Sequence, residues 1–252
     1  MLVCKACKEP LVLPLGPEDT DLLGSGDIPD DLGLPCGCHF HWQCLLDQSS
    51  ELVLSLKCPN CAAYLPGNEA GPSTTNTSTP ASSGTVILAK YVNEGGVQDN
   101  LDILPSITEE AYLQTHPEAR PARALHLMCT AGDAIGIVEL LRDASDEVDD
   151  MGSLIRYQDP LDELKSGLHH AIMHSQDEVT WLLLWLSSTL PNEAFPDSVR
   201  QTAESMDIGR LHVTVDGDIR GLQDAQGQTA GALAQRLQVP WLAMSGAGLL
   251  SI

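Results

Sequence analysis

Residues 35–44, PCGCHFHWQC, decide the fold of the first part of this chain. They place three thiols and two imidazoles within ten positions, and the short pairs Cys4-x2-Cys7 and Cys58-x2-Cys61 stand on either side. Only Cys129, of eight cysteines, lies outside this region. The first residues lack a charged leader followed by an apolar run, so we expect reduced thiols. Clustered, reduced thiols indicate metal binding.

The composition excludes two classes of partner. The 252 residues include 35 acidic and 13 basic side chains, which gives a formal net charge of −22. Such a charge repels phosphate backbones and anionic lipids, so we expect neither nucleic acid nor a membrane surface as a partner. No apolar run approaches the roughly 18 residues of a membrane span. The expected location is therefore cytoplasmic or nuclear.

Four short pairs of potential ligands follow one another along the first 61 residues. A tight turn lets both members of a pair bind one ion, and two pairs complete a tetrahedral zinc site with Zn–S distances of about 2.3 Å. Eight ligands therefore predict two zinc ions in closed sites, with no open position for metal catalysis. His39 competes with His41 for one ligand position. We favour His41, because the use of His39 would strand Cys38.

This ligand order resembles that of the RING finger family, and the Pro-Asn step between the last two cysteines matches its closing C-P-x-C. PHD fingers and RING-CH domains place more residues before the histidine and fit less well. The resemblance implies a small zinc-stabilised α+β domain over residues 1–66 in which the ligand pairs interleave. The first zinc site would comprise Cys4, Cys7, His41 and Cys44, and the second Cys36, Cys38, Cys58 and Cys61.

The RING resemblance also implies an activity. In RING ubiquitin ligases the domain forms no covalent intermediate, but orients a ubiquitin-conjugating enzyme and its thioester-linked ubiquitin. No catalytic residue is therefore expected in this chain. The docking positions of the family fall on Ala6, Leu45, Leu46 and Pro59. Active members often carry a basic residue directly after the last ligand, where this chain has Ala62.

The zinc domain is followed by two segments of different character. Residues 67–84 contain almost only Gly, Ser, Thr, Asn, Pro and Ala, a composition that predicts a flexible, disordered linker. Residues 85–121 form a predicted connecting segment. In it, Thr85 to Val92 is expected to form a strand closed by a turn at Gly95-Gly96. The capping-box pattern from Ser106 to Glu109 predicts the start of a short helix.

Residues 122–252 have helix-period apolar spacing and contain a repeat. Residues 124–141 and 167–183 share a Leu-His step near their start and resemble the ankyrin repeat, whose T-P-L-H-x-A signature opens the first of two helices. Degraded copies are placed at Val199 and Asp224. The resemblance implies an all-α ankyrin-like stack, joined to the zinc domain by the flexible linker, that binds a protein partner.

The repeat spacing and its histidines have plain structural interpretations. The first interval is 43 residues, and we place its surplus over about 33 in the acidic segment 143–150. The ankyrin resemblance implies that His126, His169 and His170 form hydrogen bonds between helices and turns. Cys129 falls on an apolar helix face and is expected to be a core thiol.

Two functions remain open from the sequence. The first is a RING-type ubiquitin ligase, or a ligase component, that docks a ubiquitin-conjugating enzyme and recruits a protein substrate through its ankyrin-like repeats. The alternative is a non-catalytic scaffold whose zinc domain and repeats each bind a protein. The first would make the chain a transferase of the ubiquitin conjugation pathway, with two zinc ions as its only cofactors.

Overall fold

In a computed structural model, the chain divides into two compact units, Met1–Pro117 and Glu118–Ile252. Most of the predicted linker and the middle of the predicted acidic segment lie outside the described residues. Within the described parts of both units, no helix is long and apolar enough to cross a membrane. The described residues are 2–14, 28–67, 85–144, 150–207 and 209–252.

Short elements bring the cysteine pairs of the first unit together. Two antiparallel pairings, β1 with β2 and β3 with β4, fold the chain back on itself, and Gly37 turns the second pair with φ +79°. Glycine adopts this left-handed conformation without the steric cost of a Cβ. The elements are β1 (Val12–Leu13), β2 (Ile28–Pro29), β3 (Asp31–Gly33), β4 (His39–Phe40), α1 (Trp42–Leu46) and α2 (Ser49–Ser55).

The segment after the predicted linker belongs to the first unit. Strand β5 (Leu88–Asn93) pairs antiparallel with β3 and with β6 (Gly96–Asp102), which gives a four-stranded sheet of order β4-β3-β5-β6. The predicted turn joins β5 to β6, and Gly96 has φ +113° there. The sequence left open where this strand packs; in the structure it pairs with β3 of the cysteine-bearing region.

The helix after this hairpin, α3, spans Leu104–Thr115 and packs against α1 and α2. The predicted helix start at Ser106 is wrong by two residues. The side chain of Asp102 accepts hydrogen bonds from the backbone amides of Ile87 and Leu104, both at 3.1 Å. The amide of Leu104, in the first turn, has no partner within the helix, and the Asp102 carboxylate supplies one. The helix therefore starts before the predicted capping box at Ser106.

One apolar core holds the first unit together. Leu32, Phe40 and Leu52 come from the ligand-bearing part of the chain, and Ile87 and Ile103 come from beyond the predicted linker; each is at most 1% exposed. The same cluster includes the thiols Cys4, Cys38 and Cys58.

The second unit is mainly helical, with one short antiparallel hairpin, β7 with β8. Its helix starts use different caps: Asp150 accepts from the amide of Gly152, and Thr229 from that of Ala232. The elements are α4 (Arg120–Ala131), α5 (Ala134–Ala144), α6 (Met151–Ile155), β7 (Gln158–Asp159), β8 (Lys165–Ser166), α7 (Gly167–Met173), α8 (Asp177–Ser187), α9 (Asp197–Ser205), α10 (Ala230–Leu237) and α11 (Leu242–Gly246).

Three helix pairs joined by short turns recur along this unit: α4 with α5, α7 with α8, and α10 with α11. Helix α7 packs against both α4 and α10. The copies predicted at residues 124–141, at 167–183 and from Asp224 each fall on one of these pairs. The copy predicted at Val199 differs, because among the described residues α9 is followed by two short 3-10 helices, Val215–Gly217 and Ile219–Gly221, and not by a partner α-helix. Residues 188–229 therefore form an insertion between the second and third pairs.

Two glycines permit close helix packing in this unit. A Cβ on Gly231 would lie 2.0 Å from the carbonyl oxygen of Leu250, so the C-terminal segment rests directly on the first turn of α10. A Cβ on Gly167 would lie 3.0 Å from the Sγ of Cys129, where α7 meets α4. Cys129 is fully buried in the apolar core of this unit.

Candidate metal centres

The first cluster of ligand atoms contains Cys4, Cys7, His41 and Cys44. One potential ligand atom from each residue lies within 4.8 Å of all the others. The cluster joins the turn before β1 to the region where β4 passes into α1, so residues 34 positions or more apart meet. His41 and Cys4 are buried, whereas Cys7 is exposed.

The imidazole of His41 is oriented as a metal ligand. Its Nε2 lies 2.8 Å from the carbonyl oxygen of Pro10, and a carbonyl only accepts, so Nε2 carries the proton. The unprotonated Nδ1 then faces the Sγ atoms of Cys7 at 3.3 Å and Cys44 at 3.7 Å. Tetrahedral zinc would separate such N and S atoms by about 3.6 Å, given the usual bond lengths. A second hydrogen bond that fixes the ring in this way is typical of histidine ligands.

The second cluster contains Cys36, Cys38, Cys58 and Cys61, again with all ligand atoms within 4.8 Å of one another. The side-chain amide Nδ2 of Asn60 donates to the Sγ of Cys38 at 3.3 Å. Such donors reduce the charge density on a sulfur that binds metal. Four thiols close enough to bind one ion suit zinc or an iron–sulfur centre by donor type. Both clusters are positioned to hold a metal ion, and two zinc ions are compatible with them.

Two equivalent turns position the Cys-x2-Cys pairs. The amide of Lys8 donates to the carbonyl of Cys4, and that of Ala62 donates to the carbonyl of Cys58. The residue after each second cysteine is left-handed, with φ +71° at Lys8 and +56° at Ala62. A left-handed backbone costs a non-glycine residue roughly 1–2 kcal/mol, so neither turn is expected to persist without the contacts made by its thiols.

The thiols do not ionise equally. Burial, reinforced by neighbouring thiols, raises the pKa values of Cys36 and Cys44 to about 12 each. Burial also opposes ionisation of Cys4, but hydrogen bonds from the amides of His41, Cys7 and Ala6 outweigh it and lower the pKa of Cys4 to about 7. The amide of Ala63 lowers the pKa of Cys61 to about 7. A cation in either cluster would favour thiolates, so its binding would release protons.

His39, the competing candidate, is engaged elsewhere. Its Nδ1 lies 2.6 Å from a carboxylate oxygen of Asp31 on the adjacent strand. Of these two histidines, only His41 belongs to a metal-ligand cluster among the described residues.

The predicted docking positions differ in exposure. Ala6 is exposed, and Leu46 and Pro59 are half-buried. Leu45 is only 1% exposed and belongs to the apolar core. Partner docking at these positions stays a prediction. The α1 helix turns successive side chains by about 100°, which leaves Leu46 outside when Leu45 points inward.

Asp30 organises the first unit and was missed by the sequence analysis. It is 4% exposed and accepts from the amide of Trp42 at 3.1 Å and from the hydroxyl of Tyr91 at 3.0 Å. Burial and this carboxylate raise the pKa of Tyr91 to about 12. The rings of Trp42 and Tyr91 are in contact in a tilted arrangement, with centroids 5.1 Å apart and an interplanar angle of 41°. Nothing in the local sequence around Asp30 marks it, because both partners are fixed by the fold.

The histidines of the second unit belong to no metal cluster among the described residues. His169 accepts from the amide of Ser166 in a capping box, and its Nε2 lies 3.0 Å from the carbonyl of Gln228. His126 meets the carbonyl of Tyr157 at 3.2 Å, and His170 lies 3.3 Å from a carboxylate oxygen of Asp162. These contacts join successive turns and helices.

No family model, curated protein or solved structure matches this chain. The functional interpretation therefore depends on the geometry of the chain itself.

Proposed function

We propose that this chain is a RING-type ubiquitin ligase, or a component of one, with two structural zinc ions. The observation that carries the proposal is the interleaving of the two ligand clusters. The first and third pairs along the chain form one cluster, and the second and fourth pairs form the other. This cross-brace is the arrangement that the RING resemblance implies.

The chain's own residues would act by positioning. The clusters fix the turns that carry Ala6 and Pro59 and the start of the helix that carries Leu46. Zinc, when bound to the eight ligands, would lock these turns, and its four-ligand sites would leave no open coordination position. A rigid apolar face of this kind can hold a ubiquitin-conjugating enzyme so that its thioester meets an incoming amine, an orientation effect.

The second unit would recruit the protein substrate as an ankyrin-like stack. Ser166 and His169 occupy the first and last positions of a Ser-Gly-Leu-His segment that corresponds to T-P-L-H, and they form a capping box at the start of α7. The hydrogen bond between His169 and the carbonyl of Gln228 connects α7 to the segment that precedes α10. Three helix pairs also meet the number that repeat stacks usually need for stability.

Autoubiquitination by the purified full-length chain, with a panel of ubiquitin-conjugating enzymes, tests the ligase proposal. We expect activity with at least one enzyme, and its loss in Cys36→Ala. Leu46→Ala should reduce the rate with zinc content unchanged, because it removes an apolar contact without touching a ligand. Leu54→Ala is the matched control, since Leu54 is an 89% exposed leucine of α2 outside the proposed docking positions. Inactivity with every enzyme tested would refute the proposal.

A non-catalytic scaffold is the second candidate, and two observations favour it. Leu45 is buried, so its side chain offers no contact to a docked partner. Ala62 stands where many active RING domains have a basic residue. A scaffold would keep its complex with a protein partner when Pro59 is replaced by Ala. A ligase would instead lose its conjugating enzyme under that change.

A further inference from the structure

The insertion of the second unit builds an apolar groove that the repeat pattern does not predict. We define the α8–α9 groove by Val138 of α5, Trp181 and Leu182 of α8, and Val199, Thr202 and Met206 on or just after α9. Its volume is about 260 Å³. Trp181, Leu182, Val199 and Met206 are all half-buried, so their apolar atoms are accessible from the groove.

One wall of the groove is held rigidly. Arg210 lies over the rings of Trp185 and Phe195, with its Cζ 5.4 and 5.1 Å from their centroids. It also donates to the carbonyls of Trp185 at 3.0 Å and Ser188 at 2.7 Å. Phe195 in turn meets Trp181 edge to face with centroids 5.9 Å apart. A preformed surface loses little conformational entropy when a partner binds.

One part of the groove is acidic. Asp177 and Glu178, in the first turn of α8, line it and are exposed. No Lys or Arg lines the groove, and no ion pair involves either carboxylate among the described residues. Carboxylates at a helix start also favour the helix dipole, by about 0.3–1 kcal/mol each. The helix-dipole interaction does not occupy all the carboxylate oxygens, so Asp177 and Glu178 can also bind a cationic group.

We propose that the α8–α9 groove binds a short segment of a partner protein that carries one or two apolar side chains next to a Lys or Arg. The apolar side chains enter between Trp181 and Val199, and the basic group meets Asp177 and Glu178. The proposal rests on the partner-recruiting part of the proposed function and places that role on α8 and the insertion.

The size and charge of the groove favour a protein segment over a cofactor. The groove, at about 260 Å³, lies near the lower end of small-molecule sites, which usually enclose about 300–1,000 Å³. The two carboxylates disfavour nucleotides and other anionic cofactors. A segment that inserts a few anchoring side chains needs only such a shallow site.

A random peptide library displayed on phage, selected against the full-length zinc-loaded chain, tests the groove. We expect enriched peptides that combine apolar residues with Lys or Arg. Thr202→Trp should fill the groove and weaken a synthetic enriched peptide about tenfold or more. Glu178→Lys, at an exposed position where the lost helix-dipole interaction is worth only about 0.3–1 kcal/mol, should weaken it about three- to tenfold.

Glu139→Lys is the matched control, because Glu139 is exposed on α5, does not line the groove and makes the same charge change. It should leave peptide affinity unchanged. Failure to enrich any peptide, or equal binding to Thr202→Trp, would overturn the proposal. Enriched apolar peptides without a basic residue would also overturn it. Autoubiquitination of Thr202→Trp should match that of the wild type, so failure of the groove is distinguishable from failure of the zinc domain.

Discussion

Acid should destabilise the second unit through two buried histidines. Burial lowers the pKa of His126 to about 3 and that of His170 to about 4, from an ordinary 6.5. Among the described residues, neither Nδ1 has a hydrogen-bond partner. Protonation would therefore create a buried N–H donor with no acceptor, in addition to a buried charge.

Proton linkage gives the direction and the magnitude of the change in the free energy of unfolding with pH. Both folded-state pKa values lie below the unfolded value, so the unfolded chain takes up protons first. The stabilisation is complete above about pH 6.5 and is lost as the pH falls from there towards the folded values. Between about pH 7.5 and pH 5, each histidine should cost about 2 kcal/mol, because the folded imidazoles are still neutral there. The pKa of Asp218, buried but lowered to about 2 by Arg220, contributes only at lower pH.

Urea unfolding near pH 7.5 and pH 5 with saturating zinc, followed by hydrogen exchange in α7 and α8, measures this loss. His170→Asn removes one titrating group, so the stability difference between the two pH values should shrink by about 2 kcal/mol relative to wild type. The exposed His212 gives the control variant His212→Asn, which should behave as wild type. An unchanged pH dependence in His170→Asn would refute the reasoning.

Three further changes test other parts of the chain. Cys58→Ala should reduce bound zinc, measured by native mass spectrometry, below two ions, whereas Cys129→Ala should retain two; two ions in both would contradict the ligand assignment. Gly231→Ala should destabilise the chain by about 1–3 kcal/mol in urea unfolding, because its Cβ would strike a backbone carbonyl. Gly246→Ala, with nothing within 4 Å of the added Cβ, should not. Ala62→Arg should raise the autoubiquitination rate if the missing basic residue limits activity; an unchanged rate in an active ligase would exclude that limitation.

The ligand clusters were accessible from the sequence, because their information is local and redundant. Each Cys-x2-Cys turn brings two ligands together through one or two backbone bonds, such as the amide of Lys8 to the carbonyl of Cys4. The orientation of His41 was not accessible. It depends on the carbonyl of Pro10, which lies 31 positions earlier and carries no side-chain signal.

Long-range pairing limited the prediction in both units. The strand β5 could be predicted from the β-rich run Thr85 to Val92, but its partner β3 could not, because strand pairing depends on chain closure across the predicted linker. Likewise the period near residue 199 predicted a repeat from apolar spacing alone. The apolar side of α9 instead lines the α8–α9 groove, and the spacing cannot distinguish these two uses of one amphipathic helix.

The cysteine-bearing region and the hairpin beyond the predicted linker share one apolar core. Ile87 and Ile103, each at most 1% exposed, fill the same core as Phe40, and Tyr91 donates to the buried Asp30. A chain cut after residue 66 would expose these apolar contacts and leave one acceptor bond of Asp30 unmade. Burial of each large apolar side chain contributes roughly 1.5–3 kcal/mol, a large fraction of the stability of a small domain. The compact first unit therefore extends to Pro117 and is not limited to the cysteine-bearing segment.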